Sequence, residues 1–157
     1  MIEYDASTQE SLKRILSPIR LAVKYHRFAL YFVECSLSIQ QNQYIAHLAQ
    51  QCDKFDIILL QLDLSSIIVE NLRQTALDFL HEKFLEQIPD NIALIITGLE
   101  SSILLDSDEE HPAVLQIMNF GRDNYPKSFP HPFIICLSDK MLQKVQKVAP
   151  DFWSWRR

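Results

Sequence analysis

Four short apolar runs, separated by amphipathic stretches of helical period, set the limits on what this chain can fold into. They are "FALYFVECS" (28–36), "FDIILLQLDL" (55–64), "NIALIITGL" (91–99) and "PFIICLSD" (132–139). Each is nearly continuous rather than alternating, which is the pattern of a strand covered on both faces, as in a parallel sheet. Helical patterns fall at residues 7–26, 38–52, 66–87, 112–125 and 139–148. The first contains Ser17-Pro18, where Pro18 either starts a second helical turn or kinks one long helix. The third places Ile67, Leu72, Leu77, Leu80, Phe84 and Leu85 near one stripe. Strand and helix alternating in this way predict an α/β domain, a three-layer sandwich with a mainly parallel sheet and right-handed crossovers.

A chain of 157 residues, 48% hydrophobic and 22% charged, can remove about 70% of its unfolded surface from water in one core. A single domain over residues 1–157 is therefore expected. Its formal charge of -5 argues against a nucleic-acid partner, which requires a basic face to displace phosphate counterions. The amino-terminal "MIEYDASTQESLKR" lacks the basic and apolar regions of a signal peptide, and no apolar stretch approaches the roughly 20 residues that span a bilayer. Cys35, Cys52 and Cys136 are odd in number and far apart, so free thiols in a reducing compartment fit better than a disulfide framework. Together these features predict a soluble cytoplasmic chain without a membrane partner.

Glycine usage excludes most phosphate chemistry. A phosphate cradle turns successive backbone N–H groups toward the ligand, and glycines allow that turn without a Cβ clash. The chain has two glycines, Gly98 and Gly121. Nothing before Gly98 can supply GxxxxGK[ST] or GxGxxG, and "ECSLSIQQNQY" after the first run has no lysine to neutralise a β- or γ-phosphate. A Walker B strand ends in an aspartate that holds hydrated magnesium, whereas the strand Ile92–Ile96 is followed by Thr97, Gly98, Leu99 and Glu100. Glu100 is either a base acting on water in front of a bound cation or a glutamate exposed beside a turn glycine.

Glu34, Asp63, Glu100 and Asp139 each stand near the carboxyl end of a predicted strand, where open α/β sheets form their ligand crevice. Converging, they would bind magnesium or calcium; otherwise they cap helices and face solvent. The histidines at 26, 47, 81, 111 and 131 stand singly, without HxxxH or HExxH spacing. Cys35 is a nucleophile by position, but no basic residue follows closely enough to lower its thiol pKa, and Cys136 reads as core. No G-x-S-x-G elbow is present. The polar insertion "LLDSDEEHPAV" (104–114) reads as a solvated loop leading into a helix, with Ser107 and Glu110 spaced as a capping box and Pro112 suited to the first turn. No cofactor is expected.

At the end of the chain, Ala149-Pro150-Asp151-Phe152-Trp153-Ser154-Trp155-Arg156 resembles the signature that closes a segment near the front of large bacterial, mainly cyanobacterial, multidomain proteins related to AAA and STAND signalling ATPases. "FALYFVECS", "IALIITGLES", "MNFGRDNYP" (118–126) and "FPHPFIICLSDKML" are similar, in order, to its first strand, its strand ending in Gly-Leu-Glu, its Leu-Asn-x-x-Arg-Asp helix and its last strand with a polar turn. The resemblance covers residues 8–157, and the aromatic ending is its most distinctive part. It implies a P-loop-ATPase-like core with strand order 1-4-3-2, here lacking the phosphate-binding loop. Typical STAND ATPases carry a Walker A loop and an aspartate-containing Walker B; this chain has neither, and Gly121 stands inside the helix that holds Asn119 and Asp123. No catalytic residue carries over, and the usual fifth strand would follow Arg157, as in a module of a longer protein.

Phe152, Trp153 and Trp155 offer a large aromatic area with few rotors, suited to packing on the domain or, with Arg156, to anchoring an adjoining domain or a protein partner. The resulting expectation is a pseudo-ATPase: a non-catalytic regulatory or protein-interaction domain of a bacterial signalling protein. The alternative is an unconventional nucleotide or magnesium site built from Glu34, Asp63, Glu100 and Asp139.

Overall fold

The computed structural model describes residues 6–35 and 38–156. The start of "MIEYDASTQESLKR", Ser36 at the end of the first apolar run, and Arg157 lie outside the described residues. In chain order the elements are α1 (Ala6–Lys24), β1 (Ala29–Glu34), α2 (Ser38–Asp53), β2 (Ile58–Asp63), α3 (Leu72–Lys83), β3 (Ile92–Thr97), α4 (Leu99–Leu104), α5 (Ala113–Phe120), α6 (Asn124–Ser128), β4 (Pro132–Leu137), α7 (Asp139–Val148) and α8 (Pro150–Trp153). Each apolar run contains one strand. The sheet order is β1-β4-β3-β2 and every pairing is parallel.

Side-chain alternation divides the core into two layers. Ala29, Tyr31 and Val33 of β1, Ala93 and Ile95 of β3, and Ile134 and Cys136 of β4 pack on Leu12, Ile15, Ile19, Tyr44, Leu48 and Cys52 of α1 and α2. The intervening positions Leu30, Leu94, Ile96, Phe133 and Ile135 face α3 to α8. Both faces of the sheet are thus covered, and β3 and β4 are buried along their whole length. This is why these runs are continuous rather than alternating. At the outer edge, β2 differs from that pattern: Ile58, Gln61 and Asp63 are exposed while Leu60 and Leu62 are buried, because fewer neighbours cover the last strand.

Of the two alternatives at Pro18 the single long helix is present, α1. The helix boundaries differ from the periodic reading in three places. The third helix starts only at Leu72, where Asn71 accepts the Gln74 N–H at 3.1 Å, and Ile67 and Leu85 are exposed rather than part of its buried stripe. The cap is a stronger local signal than the apolar residues outside it. The Ser107–Glu110 capping box does not form; instead Asp106 accepts the Ala113 N–H at the head of α5 and the Asp108 N–H, both at 2.8 Å. Finally, Gly121 ends α5 instead of lying inside it, donating its N–H to the Ile117 carbonyl at 2.9 Å.

His131, just before β4, is 3% exposed. Its Nε2–H donates to the Pro89 carbonyl at 3.0 Å, and its Nδ1 has no partner. Burial lowers its pKa from the ordinary value near 6.5, so the folded state favours the neutral ring. The unfolded chain therefore binds more protons below that pH, and stability decreases as pH falls through it. Urea midpoints measured from pH 7 to pH 5 are expected to decline, and to decline less in His131→Gln, which keeps a donor toward Pro89 but does not titrate. An equal decline in both proteins would remove His131 as the cause.

Candidate functional site

The carboxyl ends of the strands form the edge at which an open α/β sheet ordinarily binds ligand, and the four acids stand along it in sheet order. Glu34 ends β1, Asp139 follows β4, Glu100 follows β3 and Asp63 ends β2. With neighbouring strands about 4.8 Å apart, the outer two acids are separated by roughly 14 Å. They are a row rather than a cluster. Among the described residues no three His, Cys, Asp or Glu side chains are grouped as metal ligands would be.

Three of the acids are engaged in local structure. Asp63 Oδ1 accepts the Ser65 N–H at 3.0 Å, closing the turn after β2. Glu100 Oε1 accepts the Ser138 N–H, tying the first turn of α4 to the start of α7 across two neighbouring strands. Ser138 in turn accepts the Met141 N–H at 3.3 Å as the cap of α7. Asp139 accepts from the Gln143 amide at 3.1 Å, one helical turn on, and Glu34 is exposed. The hydroxyl in the Walker B position is also occupied: Thr97 is buried, and its Oγ1 accepts from the Gln61 amide at 3.1 Å. Glu100 therefore links two strand ends.

Gly98 explains how that link is positioned. Its φ of +77° is left-handed, and a Cβ there would stand 2.3 Å from Ser65 N, 2.8 Å from Ser65 Cα and 2.9 Å from Asp63 Oδ1. Glycine lets the β3–α4 turn approach the β2 turn closely. The helix α4 that follows was not expected from the sequence. Its buried Leu99, Ser102 and Ile103 hold it against the core, and Ser102 Oγ accepts the Val69 N–H at 2.8 Å. Six residues carry too little periodicity to announce a helix.

The aromatic tail makes a second and more distinctive site. Phe152 is 1% exposed and meets Tyr125 and Phe32 with ring centroids 5.1 Å and 6.3 Å away. Trp153 lies 4.7 Å from the Phe32 ring, and the Arg156 guanidinium lies over the indole, 4.3 Å from its centroid. Asn119 holds the tail from α5. Its Oδ1 accepts the N–H groups of Asp151 at 2.9 Å and Phe152 at 3.0 Å, while Arg122 Nη1 stands 3.9 Å from Asp151 Oδ2. The "MNFGRD" and "APDFWSWR" stretches, 32 residues apart between Asn119 and Asp151, are one structural unit. The orphan donors of a short helix are satisfied by a distant asparagine.

Past α8 the chain runs beside β1. Arg156 forms a parallel bridge to Leu30, on the edge of β1 that has no strand neighbour. Because Cys35 donates to the Leu137 carbonyl, the odd-numbered residues of β1 turn their backbone groups toward β4 and the even-numbered ones turn outward. Leu30 is met by Arg156; among the described residues, Phe32 and Glu34 have no strand opposite them. Trp155 is 37% exposed. Phe152 and Trp153 thus pack within the domain, whereas Trp155, Arg156 and an open strand edge remain at the surface. Among the described residues no helix is long and apolar enough to cross a membrane. Comparison of the chain with protein-family models, with curated proteins and with solved structures finds no match.

Proposed function

We propose that this chain is a non-catalytic regulatory or protein-interaction domain of a cytoplasmic bacterial signalling protein, built on an AAA/STAND-like ATPase scaffold without its phosphate loop. The observation that carries this reading is the state of the β1 edge. The tail begins a parallel pairing at Leu30 and leaves the outward backbone groups of Phe32 and Glu34, with Trp155, available to another extended segment. Such edges recruit strands through main-chain hydrogen bonds, with neighbouring aromatic area adding affinity. Support also comes from the strand ends, where Asp63, Glu100 and Thr97 are committed to turns and to a buried hydrogen bond.

A thermal-shift titration with ATP, ADP and GTP, each with and without magnesium, tests the reading against its main rival. A ligand that binds only the folded state must raise stability once its concentration passes the dissociation constant. No shift is expected up to millimolar nucleotide. A shift abolished by Glu100→Ala would replace this proposal with a nucleotide site. In parallel, association measured by sedimentation is expected to weaken in Trp155→Ala and to be indifferent to Asp63→Ala. Trp155 is the informative position because Trp153 is also part of the packing on Phe32.

A further inference from the structure

A groove of about 410 Å³ runs between α4 and α7, in the layer on the far side of the sheet from α1 and α2. Two contacts tie its walls. Glu100, in the first turn of α4, accepts the Ser138 N–H at the head of α7, and Lys144 Nζ donates to the Glu109 carbonyl in the loop before α5. The floor is apolar, formed by Ile103 and Met141, both buried. On the α4 side Leu104 is 63% exposed, and Leu105, next in the chain, is 68% exposed. Two adjoining leucines left mostly in water gain from the apolar surface of a partner.

The α7 wall is cationic. Lys140, Lys144 and Lys147 stand at i, i+4 and i+7, on one stripe of the helix, and span about 10 Å at the helical rise of ~1.5 Å per residue. Among the described residues lining the groove, these three lysines face one carboxylate, that of Glu109, in a chain whose net charge is -5. The spread of the charges selects the occupant. A single carboxylate or phosphate meets one or two of the lysines and leaves the rest unmatched. A nucleic acid repeats its charge but offers little to Ile103, Leu104 and Met141, and the acidic chain as a whole repels it. An acidic amphipathic helix answers both walls, since it repeats carboxylates along one stripe and apolar side chains along the next.

We propose that the α4–α7 groove docks an acidic amphipathic helix of a partner protein, its apolar stripe on Ile103, Leu104 and Met141 and its carboxylates opposite Lys140, Lys144 and Lys147. Lys144, although it donates to the Glu109 carbonyl, keeps further N–H donors for an incoming carboxylate. The apolar contact supplies affinity, as in other helix-in-groove complexes, and the lysines set orientation and register. Neither Trp155 nor β1 lines this groove, so it is a second surface, distinct from the β1 edge. The lysine spacing is a property of consecutive residues, whereas the groove exists only because α4, from a distant part of the chain, supplies the other wall.

The test uses the folded chain and a fluorescently labelled synthetic helix carrying glutamates at i, i+4 and i+7 and leucines on the adjoining stripe. Fluorescence anisotropy is expected to show saturable binding that weakens as salt rises and that a scrambled peptide of the same composition does not share. Combining Lys140→Glu with Lys147→Glu should weaken binding at least roughly tenfold, and Leu104→Asp should weaken it on its own. All three side chains are exposed, so the fold is spared, which circular dichroism checks. A matched reversal on the other layer, Lys13→Glu with Lys54→Glu, changes the net charge equally and should leave binding unchanged. No saturable binding, equal binding of the scrambled peptide, or equal loss in the two charge-reversed proteins overturns the proposal. Displacement of the helix by an equal concentration of oligothymidylate also overturns it, in favour of a phosphate-binding surface. A dimer in sedimentation that dissociates in the Lys140→Glu, Lys147→Glu protein overturns it in favour of a second copy of this chain.

Discussion

Replacing Gly98 by alanine is expected to destabilise the domain by about 2 to 5 kcal/mol, the combined cost of a left-handed non-glycine residue, ~1–2 kcal/mol, and of overpacking, ~1–3 kcal/mol. The backbone φ of +77° accounts for the first contribution. The second arises because the new methyl group would meet backbone, Ser65 N at 2.3 Å and Ser65 Cα at 2.8 Å, and not the end of a side chain that can rotate away. Relief requires the β2 turn to retreat, which disturbs the Asp63–Ser65 hydrogen bond and the α4 helix behind it. Urea unfolding of the two proteins measures the difference directly. A loss under about 1 kcal/mol, or a gain of the kind an unstrained glycine-to-alanine change gives, would mean that the two turns do not approach as described.

Truncating Phe152 to alanine is expected to cost about 3 to 5 kcal/mol, as for other fully buried aromatic side chains, and to loosen the tail from the sheet. The ring sits between Tyr125 and Phe32, so the cavity would open at the junction of α6, β1 and α8. Asn119→Ala is expected to cost less, about 1 to 2 kcal/mol, by removing an acceptor for the first turn of α8. Trp155→Ala, at the surface, should change stability by no more than about 0.5 kcal/mol. Equilibrium unfolding with near-ultraviolet circular dichroism tests the set. Equal, small effects at all three positions would show that the tail does not belong to the cooperative core. The graded outcome would make Trp155→Ala suitable for association experiments, since it alters the surface and spares the fold.

Legibility in the sequence followed the range over which each signal acts. The four strands were readable because burial on both faces demands an unbroken apolar run, and Ile92–Thr97 and Pro132–Leu137 are completely buried. The order β1-β4-β3-β2, implied by the resemblance, is present. Boundaries were less legible where capping outweighed periodicity: Asn71 and Asp106 set the starts of α3 and α5, and both lie outside the stripe or the box that suggested them. The short helix α4 left no periodic trace at all.

The candidate sites divide in the same way. Acids at strand ends were visible as acids, but only the fold shows that sheet order spreads Glu34, Asp139, Glu100 and Asp63 across about three strand spacings. The aromatic tail was visible as a motif, while the separation into buried Phe152, packed Trp153 and exposed Trp155 depends on which face of α8 meets the sheet.

By itself, then, the sequence determined the class of fold and excluded a glycine cradle: apolar runs, helical spacing and two glycines are properties of consecutive residues, and local physics reads them without knowing the rest. Only the tertiary structure decided what the polar groups do. Glu100 meets Ser138, Asn119 meets Asp151 and Phe152, and Arg156 meets Leu30. Each of these pairs is brought together by packing the two apolar layers on the sheet, and hydrogen bonds act over a few ångströms of space whatever the distance along the chain.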